Sequence, residues 1–362
     1  MRGGGEAGDT AEGSAIREIK LREIERPLRT AFSTSLGRKH RLHNMRIEVE
    51  LRGGGRGMGE VPTSAAFKGE TIGRIGWVLR EAARRLRGTD VNDWARSTGD
   101  LRRAFPEAPM TVSGLEVALF RACLSERGIS EHAYWGGRLR RLATDITLPL
   151  VADPRALAPW MDFAARRGFT TYKVKVSGNL ERDLETVSFI YRSLEERVPA
   201  FRLRLDGNQG YTTETFLDFC DCAEERGYGI ELFEQPLEKH DFEGLAYIKK
   251  RSPVPIILDE TVLTAADAER VIGHDLGHGI NIKLAKSGIS ESERILQLAR
   301  QHRLKLMIGC MIETMVGLSA AVFLAAGSGS FDFIDLDSVH FLYGKNAYPG
   351  IGREGPAFLV MP

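Results

Sequence analysis

Thr171-Tyr172-Lys173-Val174-Lys175-Val176 reads as a buried parallel strand, rich in β-branched residues, that nevertheless carries two lysines. At the two-residue period of a strand, Lys173 and Lys175 point to one side. If that side is a packed interior, two ammonium groups lose their hydration and need nearby anions or a lowered pKa. An edge strand with both lysines in water would explain a K-x-K taken alone. The apolar flanks and the sequence downstream decide for the interior.

Beyond Gly137, strand-like runs alternate with amphipathic helices at near-regular intervals. The runs are Thr147–Val151, Thr171–Val176, Arg202–Asp206, Ile230–Glu234, Ile256–Asp259, Gly279–Lys283, Lys305–Ile308 and Phe333–Leu336. Such alternation predicts parallel strands joined by right-handed crossovers. Eight strands in so short a span fit a closed (β/α) barrel better than a doubly wound sheet. No G-x-G-x-x-G fingerprint follows any strand. Upstream the pattern differs. Ile16–Glu25 and Met45–Leu51 alternate as strands around a polar, loop-like connection at Arg26–Asn44. Three helical stretches follow, Thr71–Arg87, Val91–Ala104 and Thr111–Arg127. This is an α+β module preceding an α/β barrel.

Composition narrows the function classes. Among 362 residues, 43% are hydrophobic and 27% charged, ordinary for a folded soluble protein. A net charge of +1 gives no case for nucleic acid or an anionic membrane as partner. Arginines crowd the early helices, but Glu81, Asp93 and Asp100 are interspersed, so a solvated helix surface is expected. The four cysteines lack metal-finger spacing, and a reducing cytoplasm is the expected compartment. No apolar run is long enough to span a bilayer. Met1–Ser14 is Gly-rich and acidic, which does not suit a secretory signal.

The residues ending successive strands are Lys175, Asp206, Glu234, Asp259 and Lys283, with separations of 31, 28, 25 and 24 residues. A barrel delivers every strand's C-terminal end to the same mouth. Asp206 in Asp-Gly-Asn could be turn chemistry, and Glu234 and Asp259 could be helix-entry residues. Capping does not explain all five recurring at one structural phase. Three converging carboxylates repel one another unless a cation neutralises them. Oxygen ligands select a hard ion, Mg²⁺ with Mn²⁺ as alternative. Mg²⁺ on a substrate carboxylate would stabilise the enediolate formed as the α-proton leaves. With Lys175 and Lys283 on opposite sides, one lysine removes that proton and the other returns one, which inverts the carbon.

At these residues the sequence resembles the enolase superfamily, in particular its muconate-lactonizing-enzyme subgroup. The resemblance implies an N-terminal α+β capping domain over a modified TIM barrel, (β/α)7β. With the Gly-rich, acidic start read from its composition as a disordered tail at 1–15, the expected boundaries are capping at 16–138, barrel at 139–344, and a closing segment at 345–362 that packs back on the capping domain. It implies Lys175 as base with Lys173 supporting it, Lys283 as second base, and Asp206, Glu234 and Asp259 as metal ligands. Asn208 and Glu260 would stand behind them. Asp335-Leu336-Asp337 is similar to the D-x-D of dipeptide epimerases, where it holds the substrate ammonium; paired carboxylates suit a cation. Gly309-Cys310-Met311-Ile312-Glu313-Thr314 is similar to that group too, placing Met311 and Ile312 against substrate. The resemblance thus implies an isomerase inverting the C-terminal residue of an L,L-dipeptide, in a homo-oligomer. The alternative is o-succinylbenzoate synthesis, N-acylamino-acid racemisation or cycloisomerisation. Gly37 stands where Ala–Glu epimerases carry a carboxylate-binding arginine, which leaves the side-chain preference open.

Overall fold

The computed structural model describes residues 12–344 and 346–361. Alternating apolar residues on one face build a three-stranded antiparallel sheet of β1 (Ile16–Thr34), β2 (Gly37–Leu51) and β3 (Arg56–Val61). The expected loop at Arg26–Asn44 is instead the far half of a long hairpin. Its pairing runs on to Phe32↔Lys39 and Thr34↔Gly37, with a register irregularity after Pro27. No apolar alternation marks these residues, because the arm leaves the sheet's core and lies over the barrel mouth. Its backbone docks there: Ser33 O accepts from Leu150 N at 2.9 Å, and Ser35 Oγ donates to Asn208 O at 2.8 Å. The described chain also begins inside the expected tail. Ser14 and Ala15 are buried, and Ala15 bridges to Asp90, so order starts before residue 16. Residues 1–11 lie outside the described residues.

Helices α1 (Ile72–Leu86), α2 (Trp94–Ala104) and α3 (Pro109–Glu126) cover the sheet. Ile47, Val49, Leu79, Leu115 and Leu119 belong to the shared core. At Gly59 on β3 a Cβ would stand 2.1 Å from Gly114 O, so only glycine lets strand and helix backbones meet so closely. A short helix α4 (Glu131–Tyr134) and strand β4 (Arg141–Ala143) lead into the barrel.

Seven strand–helix pairs follow in order: β5 (Ile146–Leu148) and α5 (Ala158–Arg166), β6 (Thr171–Lys175) and α6 (Leu180–Arg197), β7 (Arg202–Asp206) and α7 (Thr213–Glu225), β8 (Ile230–Glu234) and α8 (Phe242–Lys249), β9 (Ile256–Leu258) and α9 (Ala265–Gly273), β10 (Gly279–Ile282) and α10 (Leu284–Gln301), β11 (Lys305–Gly309) and α11 (Met315–Ser328). β12 (Phe333–Asp335) is last. Each strand pairs in parallel with the next, as expected of the (β/α)7β reading. Asp145 N donates to Ile334 O at 3.3 Å, bringing last strand and first together. Residues facing outward, such as Val174, Leu205 and Phe233, pack with Phe216 and Phe219 of α7. Inside, Leu232, Ile257, Met307 and Phe333 form an apolar layer. Each lies two residues before Glu234, Asp259, Gly309 or Asp335, so polar residues occupy the next layer toward the mouth.

The closing segment pairs with the strand at the barrel's entry and also packs on a capping helix. β13 (Ile351–Glu354) and β14 (Ala357–Val360) form a sheet with β4, at the entry to the barrel. Ile351, Phe358 and Val360 share an apolar cluster with α11 and with Val117, Phe120 and Leu124 of α3. The segment therefore joins barrel and capping helices together. Among the described residues, no helix is long and apolar enough to cross a membrane.

Candidate active site

Strand register assembles the site. Lys175 on β6 pairs with Asp206 on β7, which pairs with Glu234 on β8, so three of the candidate residues occupy one row of neighbouring strands. Asp259 follows β9 by one residue, and Lys283 follows β10 by one. β6 and β10 are the second and sixth of the eight strands, so the two lysines reach the mouth from opposite walls, with the three acids between. All five are buried; Asp206 and Glu234 have no exposed surface.

Within this layer every acid meets an ammonium. Lys175 pairs with Asp206, and Lys173 pairs with Asp335 and lies 3.1 Å from Glu234 Oε2. Lys283 Nζ lies 2.6 Å from Asp259 Oδ2 and 3.7 Å from Glu234 Oε1. Burial alone would lower the Lys173 and Lys283 ammoniums. Asp335 and Glu234 outweigh it at Lys173, and Asp259 and Glu234 at Lys283, so both sit above the ordinary lysine value. Asp206 and Asp259 are likewise held down by these lysines against burial. Burial and Asp206 push Glu234 up.

Two residues passed over in the sequence complete the layer. Lys286, three residues beyond Lys283 on the same turn, places Nζ 2.6 Å from Asp259 Oδ1. Asn281 Nδ2 donates to Glu234 Oε1 at 2.7 Å. The signal for both was the polar run Asn281-Ile-Lys-Leu-Ala-Lys itself, where a buried strand end should be apolar. Capping residues brace this turn: Arg102 Nη2 donates to Ser287 O at 2.7 Å, and Glu116 accepts from Ile289 N and Ser290 N. Gly309 opposite gives the turn room, since a Cβ there would stand 2.7 Å from Lys283 Cε.

The donor set fits a hard cation. Glu260 adds a fourth buried carboxylate, pushed up to about 8 by burial and by Asp259 and Asp206. Asn208 Nδ2 donates to Glu260 Oε1 at 3.1 Å. Asn208 Oδ1, Glu260 Oε2 and Asn281 Oδ1 are buried oxygens without a hydrogen-bond partner among the described residues. Backbone strain sits here too: Asn208 and Gln235 have positive φ of 40° and 34°, which ordinary residues avoid.

Asp335 and Asp337 meet a third acid that sequence reasoning missed, Asp145, whose oxygen lies within 4.8 Å of theirs. Asp145 stands just before the first barrel strand, where nothing in the sequence marks it as part of the mouth. Arg204 Nη1 holds Asp145 Oδ2 at 2.7 Å, and Thr147 N donates to Asp337 Oδ2 at 2.6 Å. Burial and Asp335 raise Asp337 to about 6. Two of the three carboxylates, Asp335 and Asp337, line the cavity as an acidic patch suited to a cation.

The cavity, of about 190 Å³, lies between both domains. Lys173, Lys175, Asp259, Lys283, Asp335 and Asp337 line its floor. Met311 and Ile312 reach it from the β11–α11 loop, and Phe32, Leu36, Ala65 and Phe67 from the capping domain. Asn44 Nδ2 fixes that loop by donating to Ile312 O at 2.8 Å. Gly37 lines the wall against Ala65, with Lys39 beside it on the same hairpin face. Lys39 donates to Thr63 Oγ1 at 2.8 Å, and burial lowers it to about 8. Arg41 lies 2.7 Å from Glu25, and neither Arg38 nor Arg41 lines the cavity.

Residues 156–351 match the family of enolase C-terminal domain-like proteins. The chain is 32% identical to an aromatic dipeptide epimerase of Herpetosiphon aurantiacus, over 94% of this chain and 95% of that protein. A mandelate racemase/muconate lactonizing protein from the same organism superposes with a TM-score of 0.90 at 31% identity, covering 96% of each chain. A dipeptide epimerase of Enterococcus faecalis, solved with Mg and L-Leu-L-Tyr, superposes at 0.88 with 27% identity, covering 96% of this chain and 97% of that one.

Proposed function

The chain belongs to the enolase superfamily, and from that premise we propose that it is a Mg²⁺-dependent dipeptide epimerase inverting the α-carbon of the C-terminal residue of an L,L-dipeptide. The observation that carries this reading is the pair of lysines, Lys175 and Lys283, entering one cavity from opposite barrel walls beside an aspartate pair. Lys175 and Lys283 exchange the α-proton on opposite faces of the carbon, with Lys173 positioned by Glu234 and Asp335 to support the anionic end of the substrate. Asp335 and Asp337 take the free ammonium. Asp206, Glu234 and Asp259 hold the metal, with Asn208 and Glu260 behind them; Mn²⁺ serves the same ligands. When bound, the ion supplies positive charge against the substrate carboxylate as its α-proton leaves. That added charge would oppose the carboxylates that hold Lys173 and Lys283 above the ordinary lysine value.

The side-chain pocket is apolar. Phe32, Leu36, Ala65, Phe67 and Ile312 wall it, and the Lys39 ammonium is tied to Thr63. This favours apolar or aromatic substrate side chains over acidic ones. The similar proteins named for aromatic dipeptides, or solved with L-Leu-L-Tyr, support the preference. A cytoplasmic homo-oligomer belongs to the same reading.

The test is incubation with a dipeptide library in D₂O with Mg²⁺, read by mass and chiral chromatography. Deuterium at the C-terminal α-carbon alone, with inversion lost in Lys175→Ala, is the expected result. Exchange in N-succinylated amino acids and in no dipeptide would overturn it in favour of the related racemisation or synthase reactions.

A further inference from the structure

A second cavity, of about 250 Å³, lies away from the catalytic mouth and shares no residue with it. It opens where the root of the β1 arm, the end of α5, the turn after β12 and β13 come together. Arg29, Arg167 and Arg353 line it, with His340, Phe163 and Leu342.

Its charge is one-sided. The guanidinium carbons of Arg167 and Arg29 lie 3.8 and 5.6 Å from the Phe163 ring centroid, and that of Arg29 lies 4.5 Å from the Tyr343 ring. Arg29 Nε donates to Leu342 O at 3.1 Å, a neutral acceptor. The acids nearest in sequence are engaged elsewhere: Glu354 lies 2.6 Å from Arg141, and Asp162 lies 2.7 Å from Arg197. Among the described residues, no carboxylate pairs with Arg29, Arg167 or Arg353. His340 is buried between them, its ring edge-on to Phe169. Burial first, then Arg353, Arg167 and Arg29, depress it to about 3, with no acid acting against them. A buried neutral imidazole can still donate one N–H into the cavity.

We propose that this cavity is a binding site for a phosphate-type oxyanion, held by the guanidinium groups of Arg29, Arg167 and Arg353 with the His340 imidazole at its base. Converging guanidiniums without carboxylates match the fork geometry and charge of a phosphate group. Because Arg29 N also donates to Phe341 O at 2.7 Å, the occupied site would fasten the root of the capping hairpin to the segment following Asp337.

Inorganic phosphate and phenyl phosphate are titrated against the full-length protein at constant ionic strength, reading the melting temperature and the His340 imidazole resonance. His340→Gln assigns that resonance. A saturable rise in melting temperature with an upward move of the His340 titration midpoint is expected. The apparent dissociation constant should weaken at least tenfold in Arg167→Gln/Arg353→Gln, with dipeptide turnover unchanged. Tighter binding of phenyl phosphate identifies an organic phosphate as the ligand; equal binding identifies the free ion. A melting rise that persists in the double variant, or an unmoved His340 resonance, overturns the proposal. If the double variant does not fold, the wild-type His340 resonance decides alone.

Discussion

Gly309→Ala separates the role of Lys283 from the integrity of the barrel. A methyl at Gly309 would stand 2.7 Å from Lys283 Cε and 2.8 Å from both side-chain polar atoms of Asn281, where ordinary contacts begin near 3.4 Å. The backbone at Gly309 is not in the left-handed region, so alanine is tolerated by the main chain. The clash falls on side chains, and Lys283 must retreat by the better part of an ångström. Overpacking of this kind costs about 1–3 kcal/mol of stability. Misplacing a reacting group by ~1 Å costs about 10²-fold in rate, or roughly 2.7 kcal/mol in the barrier. The expected variant is folded, melts several degrees lower, and epimerises about a hundredfold more slowly. The decisive assay follows deuterium exchange from each epimer separately. Lys175 remains in place, so one epimer should still exchange its α-proton while the other loses exchange along with inversion. Wild-type exchange from both epimers would refute the assignment of Lys283 as the second base. Equal loss from both would place the damage in the shared carboxylate layer.

Asp335→Asn removes the acid that pairs with Lys173 and half of the aspartate pair. Turnover of dipeptides with a free amino terminus should fall by about 10²-fold, judged from kcat/KM, with little loss for N-acetylated analogues relative to their own baseline. Gly288 has φ 72° and ψ −166° at a kink that interrupts α10 after its opening turn, and a Cβ there would stand 1.9 Å from Glu116 Oε2. Gly288→Ala should therefore cost about 3 kcal/mol or more, since strain in a backbone region open essentially to glycine alone and overpacking add, and thermal unfolding will register it. His340 is held near 3 in the folded protein against about 6.5 when unfolded. The unfolded chain thus takes the proton first, and stability is lost as pH falls from 6.5 toward 3. His340→Gln should recover about 3 kcal/mol of that acid-side loss, seen in chemical denaturation at about pH 4 against about pH 7.

Much of this architecture is legible in the chain itself. Strand–helix alternation points to the barrel, because a period of two and a period of 3.6 are written in the apolar positions. The spacing of Lys175, Asp206, Glu234, Asp259 and Lys283 carries the candidate site, because a barrel converts equal phase along the chain into one place in space. Asp335 and Asp337 stand out through the resemblance, not through their spacing. The polar hairpin at Arg26–Asn44 reads as a loop, since a strand arm outside the core leaves no apolar alternation. Asp145, Asn281 and Lys286 are legible only as residues. Their roles depend on which neighbour each meets: Asp145 reaches Asp335 and Asp337 across the seam where the first strand meets the last, and Lys286 meets Asp259 by a turn that Arg102 and Glu116 brace from the other domain. The three arginines around His340 lie up to 324 positions apart. The sequence alone determined which chemistry the strand ends could carry. Only the tertiary structure decided how charges distant in the chain are balanced or left unbalanced, because that depends on distances set by packing.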